Sequence, residues 1–191
     1  MELGAPVLEN AFVRLEPLGE AHREPLRAAC EADREIWEIY PYSMIGIHFD
    51  PFWIRIRAEQ QTGRCVPFAA MADGACVGIT RYLGIDPVNR SVEIGGTYYR
   101  PDQRGGTVNP AAKYLLLDHA FAQGARRVRF SVDAINARSR AAMLKLGAVQ
   151  EGILRQDRVC WTGRVRDTVV FSVLAGEWPR VRDGLLKRLS K

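Results

Sequence analysis

The sequence predicts an α/β (α+β) domain in which a mixed sheet is flanked by helices. Three observations lead there. Strand-like and helix-like periodicities alternate along the chain instead of separating into blocks. An Asp73-Gly74 pair divides two apolar runs of strand composition, a strong hairpin signal. The chain has 191 residues, 47% apolar and 26% charged, enough for one core that buries roughly 70% of the unfolded surface. A single domain over residues 1–191 is expected.

Each element has a local reason. Residues 12–17 alternate as a short strand, and residues 19–33 place Leu26, Ala29 and Cys30 on one helical face. Residues 34–49 are irregular and aromatic. Asp50-Pro51 reads as N-cap and first helical residue of a helix reaching Gln61. Residues 66–72 and 76–85 form the hairpin, and residues 91–100 another strand. A Gly-rich turn leads to a helix over 110–123, with Asn109 as N-cap, Pro110 at its first position and Gly124 at its end. Residues 127–133 are a strand and 138–146 a helix closed by Gly147. Residues 149–159 and 166–174 pair as strands around Trp161-Thr162-Gly163, and 177–189 finish as a helix.

Composition excludes several classes. The 17 Gly and 10 Pro, spread among aliphatic and aromatic residues, fit neither collagen nor a disordered chain. No stretch approaches the ~18 unbroken apolar residues of a membrane span, so no membrane partner is expected. Met1-Glu2-Leu3-Gly4 lacks the basic and apolar regions of an export signal, and a cytoplasmic location is expected. Cys30, Cys65, Cys76 and Cys160 are scattered and His22, His48 and His119 do not complete a cluster, so no metal is expected. The net charge of +5 fits an anionic ligand, nucleic acid or ordinary solubility. No RNA-binding signature accompanies the late arginines, so nucleic acid is not the expected partner.

The chemistry concentrates in residues 93–113, a strand, a Gly-containing loop and a helix start. Unpaired N–H groups and the positive dipole end of such a helix attract phosphate. Gly105 and Gly106 let an anion approach the backbone, though a plain turn uses glycines in the same way. Neither GxxxxGK[ST] nor GxGxxG occurs, which excludes a P-loop and argues against a dinucleotide fold. Downstream, Asn136 precedes Ser139 at a second helix start, followed by Lys145-Leu146-Gly147-Ala148 and Glu151-Gly152.

Together these segments resemble the GNAT N-acetyltransferases, most closely the ribosomal-protein N-terminal acetyltransferase branch. The resemblance runs from about residue 12 to 178 and is most specific over 91–175. It implies a mostly antiparallel central sheet whose strands near 91–99 and 127–133 splay to hold acetyl-CoA as cosubstrate. The pyrophosphate would rest on Arg104, Gly105, Gly106, Thr107, Val108 and Asn109; Thr107 and Asn109 depart from the glycine-rich family pattern. Backbone groups of Gly96, Thr97, Tyr98 and Tyr99 would hold the pantetheine, and Asn136, which also reads as a helix N-cap, would bond its arm near Ser139; Arg138 and Arg140 would meet the ribose phosphate or stay solvated.

The implied reaction is direct acetyl transfer to a primary amine, of a protein N terminus or a small molecule. Glu93 is the candidate general base, or a structural carboxylate paired with an arginine. Ser139 is the candidate proton donor, since Met143 stands where many relatives carry a tyrosine; its other reading is a local helix-start bond. Trp37, Tyr40, Tyr42, Phe49 and Trp53 are candidates for the acceptor pocket or for ordinary packing. His119, Trp161 and Trp178 read as packing residues. A non-catalytic CoA-binding module is the alternative, and a homodimer through the last strands is a further expectation.

Overall fold

The computed structural model describes residues 1–190; Lys191, last residue of the expected domain, lies outside them. Eight strands form one sheet: β1 (Leu8–Glu9), β2 (Arg14–Pro17), β3 (Cys65–Ala72), β4 (Ala75–Asp86), β5 (Ser91–Tyr99), β6 (Arg127–Asp133), β7 (Val149–Val159) and β8 (Val165–Leu174). Their spatial order is β1-β2-β3-β4-β5-β6-β8-β7. Every pairing is antiparallel except β5 with β6. The helices are α1 (Arg23–Glu31), α2 (Phe49–Gln61), α3 (Val108–Ala122), α4 (Ala137–Leu146) and α5 (Trp178–Leu189). Apart from the short β1, this is the predicted order of elements.

Apolar residues of α3, α4 and α5 cover one sheet face with Leu15, Val92, Ile94, Val128 and Phe171. Those of α1 and α2 cover the other with Ala69, Ile79 and Tyr98. At the β3–β4 turn, Asp73 (φ 50°) and Gly74 (φ 74°) both adopt the left-handed conformation, as a two-residue mirror-image turn requires.

Two helix starts fall earlier than expected. α2 begins at Phe49 with His48 as N-cap, and α3 begins at Val108 with Thr107 as N-cap. Asp50-Pro51 and Asn109-Pro110 therefore occupy the second and third helical positions. Proline is tolerated there because the N–H groups of the whole first turn lack intrahelical partners. Asp50 instead accepts hydrogen bonds from Arg23 and Arg27 at 2.9 and 2.6 Å.

The feature that makes a site is the junction of β5 and β6. They pair in parallel only from Ser91–Arg127 to Glu93–Arg129 and then diverge. Beside the divergence β5 carries a bulge: Arg81 pairs with Gly95 and Ile79 with Tyr98, so three steps on β5 match two on β4. The bulge reverses the alternation. Ile94 packs on the α3 face but Tyr98 on the α1–α2 face, and Tyr99 joins Val92 and Ile94. Glu93 and Tyr99, which regular alternation would place on one face, are thus separated. Gly96 makes the bulge with φ 55°, and a Cβ there would lie 2.1 Å from Arg81 Nε.

Candidate active site

The diverging strands open a cleft of about 460 Å³ lined by residues from β4 to β8, α3, α4 and the 39–42 segment. A larger hollow of about 580 Å³ lies between α1 and the β3–β4 turn, among Ala28, Ala32, Gly74 and Ala75. Its charged residues, Arg100 and Asp102, pair with each other at 2.5 Å, so volume alone does not locate chemistry.

At the mouth of the cleft stands the start of α3. Gly105 and Gly106 face open space, with no atom within 4 Å of a Cβ built on either. Thr107 makes no side-chain cap bond, so its hydroxyl is unused by the helix. Pro110 lacks an N–H, which removes one donor from the turn that faces an anion. The Arg104 side chain turns inward: Nε donates to Tyr99 O at 2.7 Å, and Nη1 pairs with Asp33. Its contribution to the loop is to anchor it, leaving the backbone to face the cleft.

Across the cleft, Asn136 caps α4 by accepting from Ser139 N–H at 2.9 Å through Oδ1. The cap leaves its amide group free to donate toward the cleft, which Asn136 and Ser139 both line. Arg140 points elsewhere, donating to Ala134 O at 3.2 Å and standing outside the lining, whereas Arg138 belongs to it.

Glu93 lies where the strands part. Its Oε2 accepts from Arg129 Nε at 2.8 Å, the ion pair that its structural reading anticipated. Oε1 makes no hydrogen bond among the described residues and lies beside Gly95. Tyr40 Oη donates to Thr97 O at 2.5 Å, pinning the carbonyl side of the bulge.

Of the five aromatic candidates, only Tyr40 and Tyr42 reach the cleft. Trp37, Phe49 and Trp53 are buried in the α1–α2 core, and so is Tyr98, whose hydroxyl donates to Ala29 O at 2.8 Å. Thr107 and Val108 belong to the helix start but not to the lining. His119 packs against Tyr82, where burial lowers its pKa, and Trp178 packs against Phe121. Trp161 does more than pack: Nε1 donates to Trp37 O at 2.7 Å, tying the β7–β8 hairpin to the 34–49 segment.

Among the lining residues that carried no role in the sequence reading, two are buried cations with no ion-pair partner among the described residues. Lys113, on α3, is 5% exposed, donates to Thr97 Oγ1 at 3.1 Å and has no carboxylate within 4 Å among the described residues. Burial brings its pKa down to about 7. Arg81, on β4, is 4% exposed and likewise lacks a carboxylate partner. Each interrupts an apolar stretch, Ala111 to Leu117 and Val77 to Leu83, and that interruption is the available signal.

The lining fits a pantetheine-bearing nucleotide. The buried Tyr99 hydroxyl and Arg104 Nη2 both lack partners among the described residues, and burial holds the phenol protonated. A ligand lying along β5 would find these donors beside the open Gly105-Gly106 backbone.

A sheet split between a parallel pair, with a bulge on one wall and a helix N terminus at the mouth, defines an acyl-CoA-type site. The model of the acetyltransferase (GNAT) domain matches residues 13–149, and the chain belongs to that family. It is 31% identical over 107 residues to the "Putative ribosomal N-acetyltransferase YdaF" of Bacillus subtilis (strain 168), a match spanning 56% of this chain and 57% of that relative. A GCN5-related N-acetyltransferase from Brucella melitensis superposes with TM-score 0.88 at 29% identity, over 96% of this chain and 85% of that one. Mycobacterium smegmatis RimJ, solved with CoA-disulfide, gives TM-score 0.79 at 26% identity over 92% and 88%. The name of the B. subtilis protein agrees with the ribosomal-protein branch that the sequence resembles.

Proposed function

We propose that the chain transfers an acetyl group from acetyl-CoA directly to a primary amine, in a ternary complex without a covalent enzyme intermediate. The divergence of β5 from β6 beyond Glu93, with the Gly96 bulge on one wall, carries this reading. Acetyl-CoA supplies the activated acetyl group when bound. The N–H groups of residues 105–109 receive its pyrophosphate, and the Asn136 amide and Tyr99 hydroxyl hold the pantetheine arm. N–H groups at the bulge polarise the thioester carbonyl, with Lys113 adding donors from beneath Thr97. The amine enters past Tyr40 and Tyr42. Glu93 Oε1 accepts its proton directly or through one water, and Ser139 protonates the departing thiolate.

The acceptor is a protein N terminus or a small-molecule amine; the name of the B. subtilis relative, a ribosomal N-acetyltransferase, favours the former. Turnover followed as thiol release is expected to fall at least about 100-fold in Glu93→Gln and about 10-fold in Ser139→Ala. Rates unchanged in both would refute the role assignments. The Glu93–Arg129 ion pair favours a second reading, a CoA-binding module without turnover. Stabilisation by CoA with no thiol released across a broad amine panel would establish it.

Two further features belong to this proposal. Cys30, Cys65, Cys76 and Cys160 are buried and unpaired, which suits a reducing, cytoplasmic setting. No helix among the described residues is long and apolar enough to cross a membrane. β7 pairs with β8 on one side and forms the outer edge of the sheet on the other; it is exposed throughout and displays Ile153 and Leu154 along an edge with no further strand among the described residues. Antiparallel pairing of two copies through this edge would give a homodimer. Sedimentation is expected to report a dimer that Ile153→Lys converts to monomer; a monomeric parent protein refutes it.

A further inference from the structure

We infer that the acceptor amine carries a carboxylate within a few bonds of the attacking nitrogen, and that Arg81 binds that carboxylate. The inference rests on the acetyl-transfer reading and narrows its substrate class. Arg81 Nη2 donates to Tyr42 Oη at 2.7 Å, but Nε is buried without a partner among the described residues. Its guanidinium lies over the Tyr42 and Phe52 rings, with Cζ 5.2 and 5.5 Å from their centroids, and rests against the Gly96 bulge. Removing a cation from water without a counter-ion costs several kcal/mol, and aromatic faces return only part of it. An anionic ligand at this wall would offset the rest.

Phosphates of the cosubstrate are not that anion. Arg81 packs on the α1–α2 face with Tyr42 and Phe52, whereas the phosphate-facing start of α3 lies on the opposite face. The β7–β8 side adds to the same charge. Arg166 is 5% exposed and shares the single carboxylate of Asp133 with Arg164, at 3.8 and 2.6 Å. Arg158 stands close enough to lower the Arg166 pKa, after the larger effect of burial. Eight cationic side chains line the cleft against two carboxylates, and both carboxylates are already paired. Glu93, on the Gly95 side of the bulge, disfavours a phosphate dianion and leaves a singly charged carboxylate as the fitting group.

The position of Arg81 sets the spacing. It touches Gly96, where the thioester carbonyl would be polarised, so a carboxylate held there lies beside the attacking nitrogen. Free α-amino acids and peptides with an acidic first residue both supply this chemistry. In the transfer, the C–N bond forms as the C–S bond breaks; the amine proton passes to Glu93, and the thiolate leaves with a proton from Ser139.

The test compares four acceptors on the unaltered protein: free glutamate, its α,γ-diamide, a peptide beginning with Glu, and the same peptide beginning with Gln. Thiol release gives kcat and KM, and calorimetry in the presence of CoA gives acceptor affinity without turnover. Each carboxylate acceptor is expected to show a KM, or Kd, about 10- to 100-fold below that of its amide counterpart. Whichever carboxylate arm is preferred identifies the source. In Arg81→Gln that ratio should collapse toward one while Arg81→Lys restores part of it, with CoA affinity unchanged in both. Because the amide comparison needs no variant, a misfolded Arg81→Gln leaves it intact. Turnover of amides as efficiently as carboxylates would overturn the inference and leave acetyl transfer standing. Selective carboxylate binding without thiol release would uphold the carboxylate site at Arg81 and overturn both the transfer reading and the bound molecule's role as acceptor.

Discussion

Lys113→Met is expected to stabilise the protein by about 1–4 kcal/mol at pH 7 while lowering turnover at least about tenfold. The two effects share one cause. Lys113 is buried on α3 with Thr97 Oγ1 as its only hydrogen-bond partner among the described residues, and burial brings its pKa from 10.5 down to about 7. Between those values the unfolded chain holds a proton that the folded protein does not. Stability therefore rises as pH climbs from about 7 to 10.5, and the full penalty applies below about 7. A depression of this size corresponds to on the order of 5 kcal/mol, an upper bound. Denaturant titrations from pH 6 to 10 should show the parent protein gaining on Lys113→Met as pH rises. A flat difference would remove the buried, charge-depressed lysine from the account. A variant that is more stable and equally active would remove its role at the bulge.

The second large effect is expected at Gly96. Alanine there meets two obstacles: φ is 55°, and the new Cβ would lie 2.1 Å from Arg81 Nε and 2.4 Å from Nη2. Arg81 is long, yet it is 4% exposed and held by Tyr42, so it cannot swing clear without opening the α1–α2 face. Strain and displacement together should cost about 1–3 kcal/mol of stability. The larger loss concerns catalysis, since in the proposed reaction the bulge aims the N–H groups that would polarise the thioester. Thiol release in Gly96→Ala should fall at least about 100-fold, with acetyl-CoA affinity changed only a few-fold. A rate within twofold of the parent would show that the bulge plays no part.

Much of the architecture was legible because it rests on local signals. Asp73-Gly74 specified its hairpin through two left-handed residues, and Asn136 and Gly147 bounded α4 through cap chemistry. The Asx-Pro pairs misplaced two helix starts because proline marks the first turn without marking its first residue. The bulge was not legible: nothing local distinguishes Gly96 from Gly95, and only pairing with β4 shows which one breaks the alternation. Sorting the aromatics failed for the same reason. Trp37, Phe49 and Trp53 have the composition of a pocket and the burial of a core. Arg81 and Lys113 were overlooked because a single charge in an apolar run looks like a surface residue until tertiary packing encloses it.

The account stands on the gap between β5 and β6 as the seat of a CoA thioester. Calorimetric titration with acetyl-CoA tests this most directly, using the protein and a variant in which Asn136→Asp places a negative charge on that wall. The account predicts one site per chain with micromolar affinity, weakened at least about tenfold by the substitution. Absence of binding at low salt, or binding indifferent to Asn136→Asp, would contradict it.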